Sequence, residues 1–263
     1  MQKICDRKIF MKFQIDDIND SKLDQFRNLK DKNINQQNLL IIESKKVVLK
    51  AIQEGVEILT LLTTASFFKE YSHSINAKEI YIIEDHKFKN LLGFNSHTKI
   101  FAIGKIPSHK LDYEKNIIFF NNITSPENVG AIARSALAFN YNQIIYDSKS
   151  LSPWNRRPIR VSTGNMFKFK TMRTTSPIDT IKNLREKNYQ VISTANDASA
   201  VNLTNFNPQK KHVIIFGSEG HGIEKTIKEA SDVIVKIPVD QYVKHLNVGH
   251  AAAITMYSLR SKS

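Results

Sequence analysis

The chain has 263 residues, 41% of them hydrophobic, which is enough for one large domain or two modest ones. Its 38 Lys and Arg residues outnumber 25 Asp and Glu residues, giving a formal net charge of +13. The single cysteine, Cys5, excludes an internal disulfide and a cysteine-based zinc site. The N-terminus lacks the apolar core of a signal peptide, and no apolar run reaches the roughly 18 residues that a membrane span needs. We therefore expect a cytoplasmic protein.

The positive charge is unevenly distributed along the chain. Residues 1–115 carry 19 basic and 15 acidic side chains, whereas residues 116–263 carry 19 basic and 10 acidic ones. Clustered cations bind polyanions by Coulomb attraction and counterion release. A generally Lys-rich composition would give the same total charge, but its concentration in the second half favours a nucleic-acid partner.

Apolar runs and amphipathic helical patterns alternate twice along the chain. After a leading helical segment, the first alternation predicts strands at 39–42, 58–62, 80–83 and 99–106, separated by helices at 43–54, 67–73 and 87–92. After a polar linker, the second predicts strands at 117–121, 143–146, 190–194, 213–217 and 233–237, with helices at 129–140, 177–188, 223–230 and 247–260. This alternation predicts an α/β fold with a parallel sheet covered on both faces, in two domains at residues 1–110 and 116–263.

Three segments of the second domain carry the residues of chemical interest. In the first, a strand runs into a polar loop and a helix that we expect Asn128 to cap, with Gly130 in its first turn and Arg134 in its second. An exposed helix N-terminus beside an arginine favours a phosphate or a similar anion. Taken alone, this pattern is more typical of an ordinary capped helix with a surface arginine.

The other two segments also begin at strand ends. Phe216-Gly-Ser-Glu-Gly-His-Gly222 is a Gly-rich strand-to-helix turn that matches neither the dinucleotide fingerprint nor a P-loop. Its Glu219 either accepts hydrogen bonds from a helix N-terminus or caps its own helix. Ile237-Pro238 ends the next strand, and Asn247 is expected to cap the closing helix.

Together, in this order and at these spacings, the three segments resemble the motifs of the SpoU (TrmH-like) family of RNA ribose 2′-O-methyltransferases. The first motif, N-x-G-A-I-x-R, is matched by Asn128, Gly130, Ala131, Ile132 and Arg134. The second, F-G-x-E-x-x-G, is matched by Phe216, Gly217, Glu219 and Gly222. The third is matched by Ile237, Pro238, Leu246, Asn247, Val248, Ala251 and Ala253. Arg160-Val-Ser-Thr-Gly164 resembles the R-x-S-x-G segment of the family.

The resemblance implies a fold that sequence pattern would not predict, since knots are very rare. It implies a trefoil-knotted parallel-sheet methyltransferase domain, preceded by a small α/β domain that resembles a ribosomal-protein-like RNA-binding domain. It also implies that S-adenosyl-L-methionine is held by the knotted loops and that the protein is a homodimer joined through its closing helix. The cofactor-binding residues implied in this chain are Thr194, Gly217, Ile237, Leu246 and Asn247.

The implied reaction is attack of a ribose 2′-hydroxyl on a sulfonium methyl group, which needs no metal because the leaving group departs neutral. The enzyme must align the weakly acidic hydroxyl and assist removal of its proton. The implied catalytic residues are Arg134, Asn128, Asn247 and Glu219. Since the arginine pKa exceeds 12, we interpret Arg134 first as a phosphate clamp and ribose orienter and second as a base.

This chain departs from the family at His245, which stands where serine is usual and either replaces it, acts as a base or crowds the site. A flexible, cationic stretch from Trp154 to Arg173, which also contains Phe167, fits binding of single-stranded or loop RNA. A solvated basic loop is the alternative. The RNA-binding residues predicted there are Arg156, Arg157, Arg160 and Lys168.

The favoured substrate is large-subunit ribosomal RNA, because the N-terminal domain resembles one that binds structured RNA loops. Methylation of transfer RNA is the first alternative. Two others stay open: a catalytically silent RNA-binding homologue that lost activity through His245, and a base methyltransferase on a related knotted scaffold.

Overall fold

The computed structural model describes residues 11–27, 30–92, 98–243 and 245–260, which leaves Cys5 outside the described residues. The chain divides into two compact units, Met1–Pro107 with Trp154–Phe167, and Ser108–Pro153 with Lys168–Ser263. This division differs from the sequence-based one in the segment 154–167, which packs with the N-terminal unit. No helix in the described part of the chain has the length and apolar composition of a membrane span.

The regular elements follow the predicted alternation and add several short ones. The strands are β1 (Met11–Gln14), β2 (Leu39–Glu43), β3 (Ile58–Thr64), β4 (Glu79–Ile83), β5 (Ile100–Lys105), β6 (Ile117–Asn121), β7 (Gln143–Asp147), β8 (Lys170–Thr174), β9 (Gln190–Thr194), β10 (Val201–Asn202), β11 (His212–Gly217) and β12 (Val233–Lys236). The helices are α1 (Asp31–Gln36), α2 (Lys45–Gln53), α3 (Ala65–Tyr71), α4 (Asp85–Leu92), α5 (Pro126–Ala138), α6 (Arg156–Val161), α7 (Pro177–Glu186), α8 (Lys225–Glu229) and α9 (Val248–Arg260). Short 3₁₀ turns occupy Ser21–Phe26, Ser72–Ser74, Asn165–Lys168 and Leu203–Asn205.

The first unit is built on a five-stranded mixed sheet in the order β1-β4-β3-β5-β2. Strands β1, β4 and β3 are parallel, while β5 runs antiparallel to both β3 and β2. Its core includes Ile41, Leu62, Tyr81 and Phe101, packed with Phe26 from the leading 3₁₀ turn. This unit therefore has the predicted α/β composition with a mixed sheet.

The second unit is built on a seven-stranded sheet in the order β10-β12-β9-β11-β6-β7-β8, and every pairing is parallel. The prediction of a parallel sheet is confirmed. Strands β6, β7 and β11 are buried along their whole length, as apolar strands of a covered parallel sheet should be. The chain runs outward from β6 through β7 and β8, then returns to the other side of β6. Such a switch in direction opens a crevice at the carboxyl ends of the strands.

A buried histidine ties the start of β11 to the turn before β7. His212 is fully buried; its Nδ1 lies 2.8 Å from the Gln209 carbonyl oxygen and its Nε2 lies 2.7 Å from the Tyr141 hydroxyl. Because the carbonyl can only accept, Nδ1 donates to it, and the hydroxyl donates to Nε2. Burial lowers the pKa of His212 below its usual value of 6.5, against the opposing effect of its hydrogen bond to Gln209. The folded protein therefore holds a neutral imidazole.

We expect the free energy of unfolding to fall as pH drops below about 6.5, because the unfolded chain gains a proton on His212 that the folded chain excludes. The loss is about 1.4 kcal/mol per pH unit until the lowered folded pKa is reached. Urea unfolding between about pH 7.5 and 5.5 measures it. This component should disappear in His212→Gln and persist in His73→Gln, which alters an exposed histidine. Equal pH dependence in all three proteins would contradict the assignment.

Candidate active site

A cavity of about 320 Å³ lies at the carboxyl ends of β9, β11 and β12. Four of the five residues predicted to hold the cofactor, Thr194, Gly217, Ile237 and Leu246, line it. The fifth, Asn247, does not line the cavity, although Leu246 and Val248 on either side of it do. The loops named by the sequence motifs therefore converge on one concave site, in the crevice that a parallel sheet offers at a change of strand direction.

The wall of the cavity at the end of β11 is a crossing of two main-chain segments. A Cβ atom at Gly217 would lie only 2.3 Å from the carbonyl carbon of Gly222 and 2.4 Å from the nitrogen of Ile223. The loop closes with a hydrogen bond of 2.9 Å from the Gly222 nitrogen to the Ser218 carbonyl oxygen. Gly222 has a φ of +66°, which favours glycine. Two glycines thus let the loop return across the strand end and bring main-chain groups to the cavity.

The Asn247 side chain joins the three motif segments. Its Nδ2 donates to Oδ1 of Asn128 at 3.0 Å and also to a carboxylate oxygen of Glu219. Its Oδ1 accepts from the nitrogens of Gly249 at 2.9 Å and His250 at 3.4 Å, at the start of α9. Asn247 therefore caps the closing helix, as predicted, and three of the four predicted catalytic residues lie in contact.

The predicted capping role of Asn128 is wrong. Helix α5 begins at Pro126, and Ser125 is its N-cap, with its Oγ accepting from the Asn128 nitrogen at 3.4 Å. Asn128 therefore lies inside the first turn, and its carboxamide oxygen accepts from Asn247. A serine N-cap followed by proline at the first helical position is a common helix start. It is favoured here over a start at Asn128, three residues after Ser125.

The N-terminus of α9 packs closely against α5. A Cβ atom at Gly249 would lie 3.2 Å from Cβ of Ala131 and 3.0 Å from Oδ1 of Asn247. Glycine and alanine at this contact let the two helices approach one another. That approach holds Asn247 within reach of Asn128, so the small residues of the first and third motifs have a packing role.

The fourth predicted catalytic residue, Arg134, lies apart from this cluster. It is exposed on α5, does not line the cavity, and forms no hydrogen bond or ion pair with the described residues. Its guanidinium is available to a group from outside this chain. An ion pair with a carboxylate of this chain would have indicated a purely structural role for Arg134. The described residues form no such ion pair with it.

The prediction of a flexible segment at 154–173 is wrong, because this segment forms α6, a 3₁₀ turn and part of β8. Trp154 and Phe167 are 1% and 4% exposed, so neither ring can stack on a nucleobase. Helix α6 packs on β2, where Arg160 Nη1 lies 2.6 Å and Arg156 Nη1 lies 3.7 Å from the buried carboxylate of Glu43. Arg156 and Arg160 therefore stabilise the first unit. Arg157 and Lys168 remain exposed.

Sequence reasoning missed a buried polar network at the ends of β6 and β7. Asp147 is 2% exposed, and its carboxylate accepts from Nδ2 of Asn121 at 2.8 Å and from the nitrogens of Asn122 at 3.0 Å and Ser150 at 2.7 Å. Oδ1 of Asn121 in turn accepts from the Glu224 nitrogen at 2.9 Å. The network connects the loop that precedes α5 to the segment that follows the second motif. The polar residue ending an otherwise apolar strand was its signal in the sequence.

Two further residues that line the cavity, His245 and Thr255, carry polar side chains that could contact a ligand. His245, the departure from the family pattern, is exposed and lines the cavity. Thr255 on α9 also lines the cavity, is 1% exposed, and its Oγ1 has no hydrogen-bond partner among the described residues. No sequence motif indicated Thr255.

The main-chain crossing predicts that alanine substitutions at two glycines of the same loop have very different effects on stability. Gly217→Ala should destabilise the protein by about 2 to 3 kcal/mol, because its methyl group overlaps main-chain atoms that cannot rotate away. Gly220→Ala, in the same loop with no atom within 4 Å of its Cβ, should change stability by less than about 0.5 kcal/mol. Urea unfolding of the two variants measures the difference, and equal stability would contradict the crossing.

The chain is similar in sequence and in fold to known RNA methyltransferases. A Borreliella burgdorferi protein described as an uncharacterized tRNA/rRNA methyltransferase is 30% identical over 144 residues, which span 55% of this chain and 63% of that protein, slightly less than two thirds. The crystal structure of an AdoMet-bound rRNA methyltransferase from Sinorhizobium meliloti has a TM-score of 0.83 at 17% identity and covers 95% of this chain and 98% of its own. An RNA 2′-O ribose methyltransferase structure has a TM-score of 0.75 at 20% identity, covering 94% and 97%. Residues 115–257, more than half of the chain, match the SpoU rRNA Methylase family, and the chain belongs to that family.

Proposed function

We propose that this protein is an S-adenosyl-L-methionine-dependent RNA methyltransferase that methylates a ribose 2′-hydroxyl, with large-subunit ribosomal RNA as its substrate. The observation that carries the proposal is the cavity at the strand ends, beside which Asn247 joins Asn128 and Glu219. Family membership supports the reaction class, and the relative from Borreliella burgdorferi is described as a methyltransferase of transfer or ribosomal RNA. The trefoil knot is part of this proposal.

The lining of the cavity fits the cofactor. The crossing at Gly217 brings main-chain groups to the cavity wall, and Thr255 offers a buried hydroxyl without a protein partner in the described ranges. The residues that would hold the cofactor are Thr194, Gly217, Ile237 and Leu246, largely through main-chain groups. When bound, S-adenosyl-L-methionine supplies a sulfonium methyl group.

The residues around the cavity orient the acceptor. Arg134, exposed and without an ion-pair partner in the described chain, binds an RNA phosphate and aligns the ribose. Its guanidinium is a poor base at neutral pH, so a role in accepting the hydroxyl proton is secondary. Asn128 and Glu219 fix the position of Asn247 and with it the start of α9.

The position of Arg134 supports a site shared by two copies of the chain. Arg134 does not line the cavity of its own chain. Helix α9 exposes Ile254 at 43% and Tyr257 at 56%, which are apolar side chains suited to a symmetric interface. In the proposed homodimer, Arg134 of one protomer serves the cofactor cavity of its partner.

Substrate choice rests on the N-terminal unit, which we propose to bind structured RNA. Exposed Lys45, Lys46 and Arg157 give this unit positive charge that attracts RNA phosphates. Transfer RNA is the alternative substrate. A catalytically silent RNA-binding protein is the alternative function, and it predicts RNA binding without cofactor binding.

Arg134→Ala should reduce methyl transfer at least about a hundredfold, because it removes the group that aligns the ribose and its phosphate. Cofactor affinity should be unchanged, since Arg134 does not line the cavity. Labelled methyl transfer to RNA and calorimetric cofactor binding measure the two effects. Lys182→Ala, which removes an exposed cation from α7, is the matched control and should keep full activity. Normal turnover by Arg134→Ala would refute the assignment.

If each active site combines the cavity of one protomer with Arg134 of the other, two inactive variants should complement one another. Leu246→Glu blocks the cavity, and Arg134→Ala removes the cation, so neither homodimer is active. Dimers reassembled from an equal mixture should recover about a quarter of wild-type activity, since half are mixed and each mixed dimer keeps one complete site. No recovery, with mixed dimers demonstrated by mass spectrometry, would show that Arg134 acts within its own chain.

A further inference from the structure

Thr255 is a buried hydroxyl-bearing residue whose polar atom the protein does not satisfy. It lies in the middle of α9, is 1% exposed, and its Oγ1 forms no hydrogen bond with the described residues. A threonine inside a helix usually donates to the carbonyl oxygen four residues earlier. Buried polar groups without a partner are rare because each one loses its hydration without compensation. An unpartnered hydroxyl at this place therefore requires an explanation.

The position of Thr255 in the cavity wall explains its unpartnered hydroxyl. Val248, Ala251 and Thr255 lie on one face of α9 at helical spacing, and all three line the cavity at the strand ends. Thr255 is thus part of the cavity wall, and its buried Oγ1 lies beneath the surface that faces a ligand. No packing requirement accounts for it, because valine has nearly the same shape and carries no polar atom.

The other buried or half-buried polar side chains of the cavity wall already have partners. Oγ1 of Thr194 donates to the Ile215 carbonyl oxygen at 2.9 Å. Lys228 lies 3.3 Å from a carboxylate oxygen of Asp197, and Lys236 donates to the carbonyl oxygen of the same residue at 3.3 Å. Among the fully buried polar side chains of this wall in the described residues, the Thr255 hydroxyl is therefore the one that a ligand can satisfy without breaking an existing hydrogen bond.

The remaining lining around this hydroxyl suits a flat, largely apolar ring with polar atoms at its edge. The cavity wall includes apolar side chains from β12, from the start of α9 and from the loop before α8, among them Val235, Val248 and Ile223. Apolar walls pack against the faces of a purine, and a hydroxyl can donate to a ring nitrogen or accept from an exocyclic amine. S-adenosyl-L-methionine carries one such ring.

We propose that Thr255 is a cofactor-binding residue whose hydroxyl hydrogen-bonds the adenine ring of S-adenosyl-L-methionine. The proposal rests on the proposed function, since it takes that cofactor as the ligand of the cavity. It assigns a specific side-chain contact to a site otherwise formed mainly by main-chain groups. It also explains why α9 keeps a hydroxyl at a position where valine would stabilise the empty protein.

Two substitutions test the proposal with measurements that do not depend on catalysis. Thr255→Val should weaken binding of S-adenosyl-L-methionine and S-adenosylhomocysteine about tenfold in calorimetry, because the adenine loses its hydrogen bond. The same variant should keep or raise the melting temperature of the cofactor-free protein, because it removes an unsatisfied buried hydroxyl. Thr255→Ser, which retains the hydroxyl, should bind both compounds within about twofold of wild type. Thr226→Val, an exposed threonine on α8, is the matched control and should change neither quantity.

The outcomes separate this proposal from the proposed function. Wild-type affinity in Thr255→Val overturns the role of Thr255 and leaves the cofactor assignment standing. A lower melting temperature of the cofactor-free Thr255→Val protein, with affinity unchanged, shows a purely structural hydroxyl and also overturns it. Absence of binding by the wild-type protein overturns the cofactor assignment itself and this proposal with it.

Discussion

The crossing of two main-chain segments at Gly217 is the constraint on which the rest of the site depends. The loop after β11 turns back at Gly222 and passes so close to the strand end that no side chain fits between them. That return path brings main-chain groups to the cavity wall at the end of β11. The following segment then continues to β12, whose end supplies Ile237 on another part of the wall. The shape of the site is thus a consequence of backbone geometry.

Hydrogen bonds of Asn247 fix the relative positions of the three motif segments around the cavity. A carboxamide can donate from one end while accepting at the other, and Asn247 uses both capacities, toward Asn128 and Glu219 and toward the first turn of α9. An aspartate could cap the helix but could not donate to Asn128. The buried network of Asp147 and Asn121 supports the same loops from the sheet side. Site residues and supporting residues therefore form one connected arrangement.

The strands that carry the motifs could be predicted from the sequence because parallel strands buried on both faces leave continuous apolar runs, as in β6 and β11. Four of the predicted cofactor residues meet at one cavity because Thr194, Gly217 and Ile237 lie at the ends of three strands of the same sheet. The fourth, Leu246, lies in the loop between β12 and α9. The edge strand β8 was missed because its half-buried and mostly polar residues form no apolar run. The segment around Trp154 was misinterpreted because its burial and the pairing of Arg160 with Glu43 depend on residues more than a hundred positions away. Thr255 could not be identified because local sequence does not reveal an unsatisfied hydroxyl.

The proposed function requires that the cavity present a methyl group to a ribose hydroxyl of RNA. The most direct measurement is transfer of labelled methyl from S-adenosyl-L-methionine to unmodified ribosomal and transfer RNA, followed by digestion to nucleosides and identification of the labelled product by mass spectrometry. We expect the label in a 2′-O-methylnucleoside derived from ribosomal RNA. Label on a nucleobase, or a wild-type protein that binds RNA but not the cofactor, would contradict it.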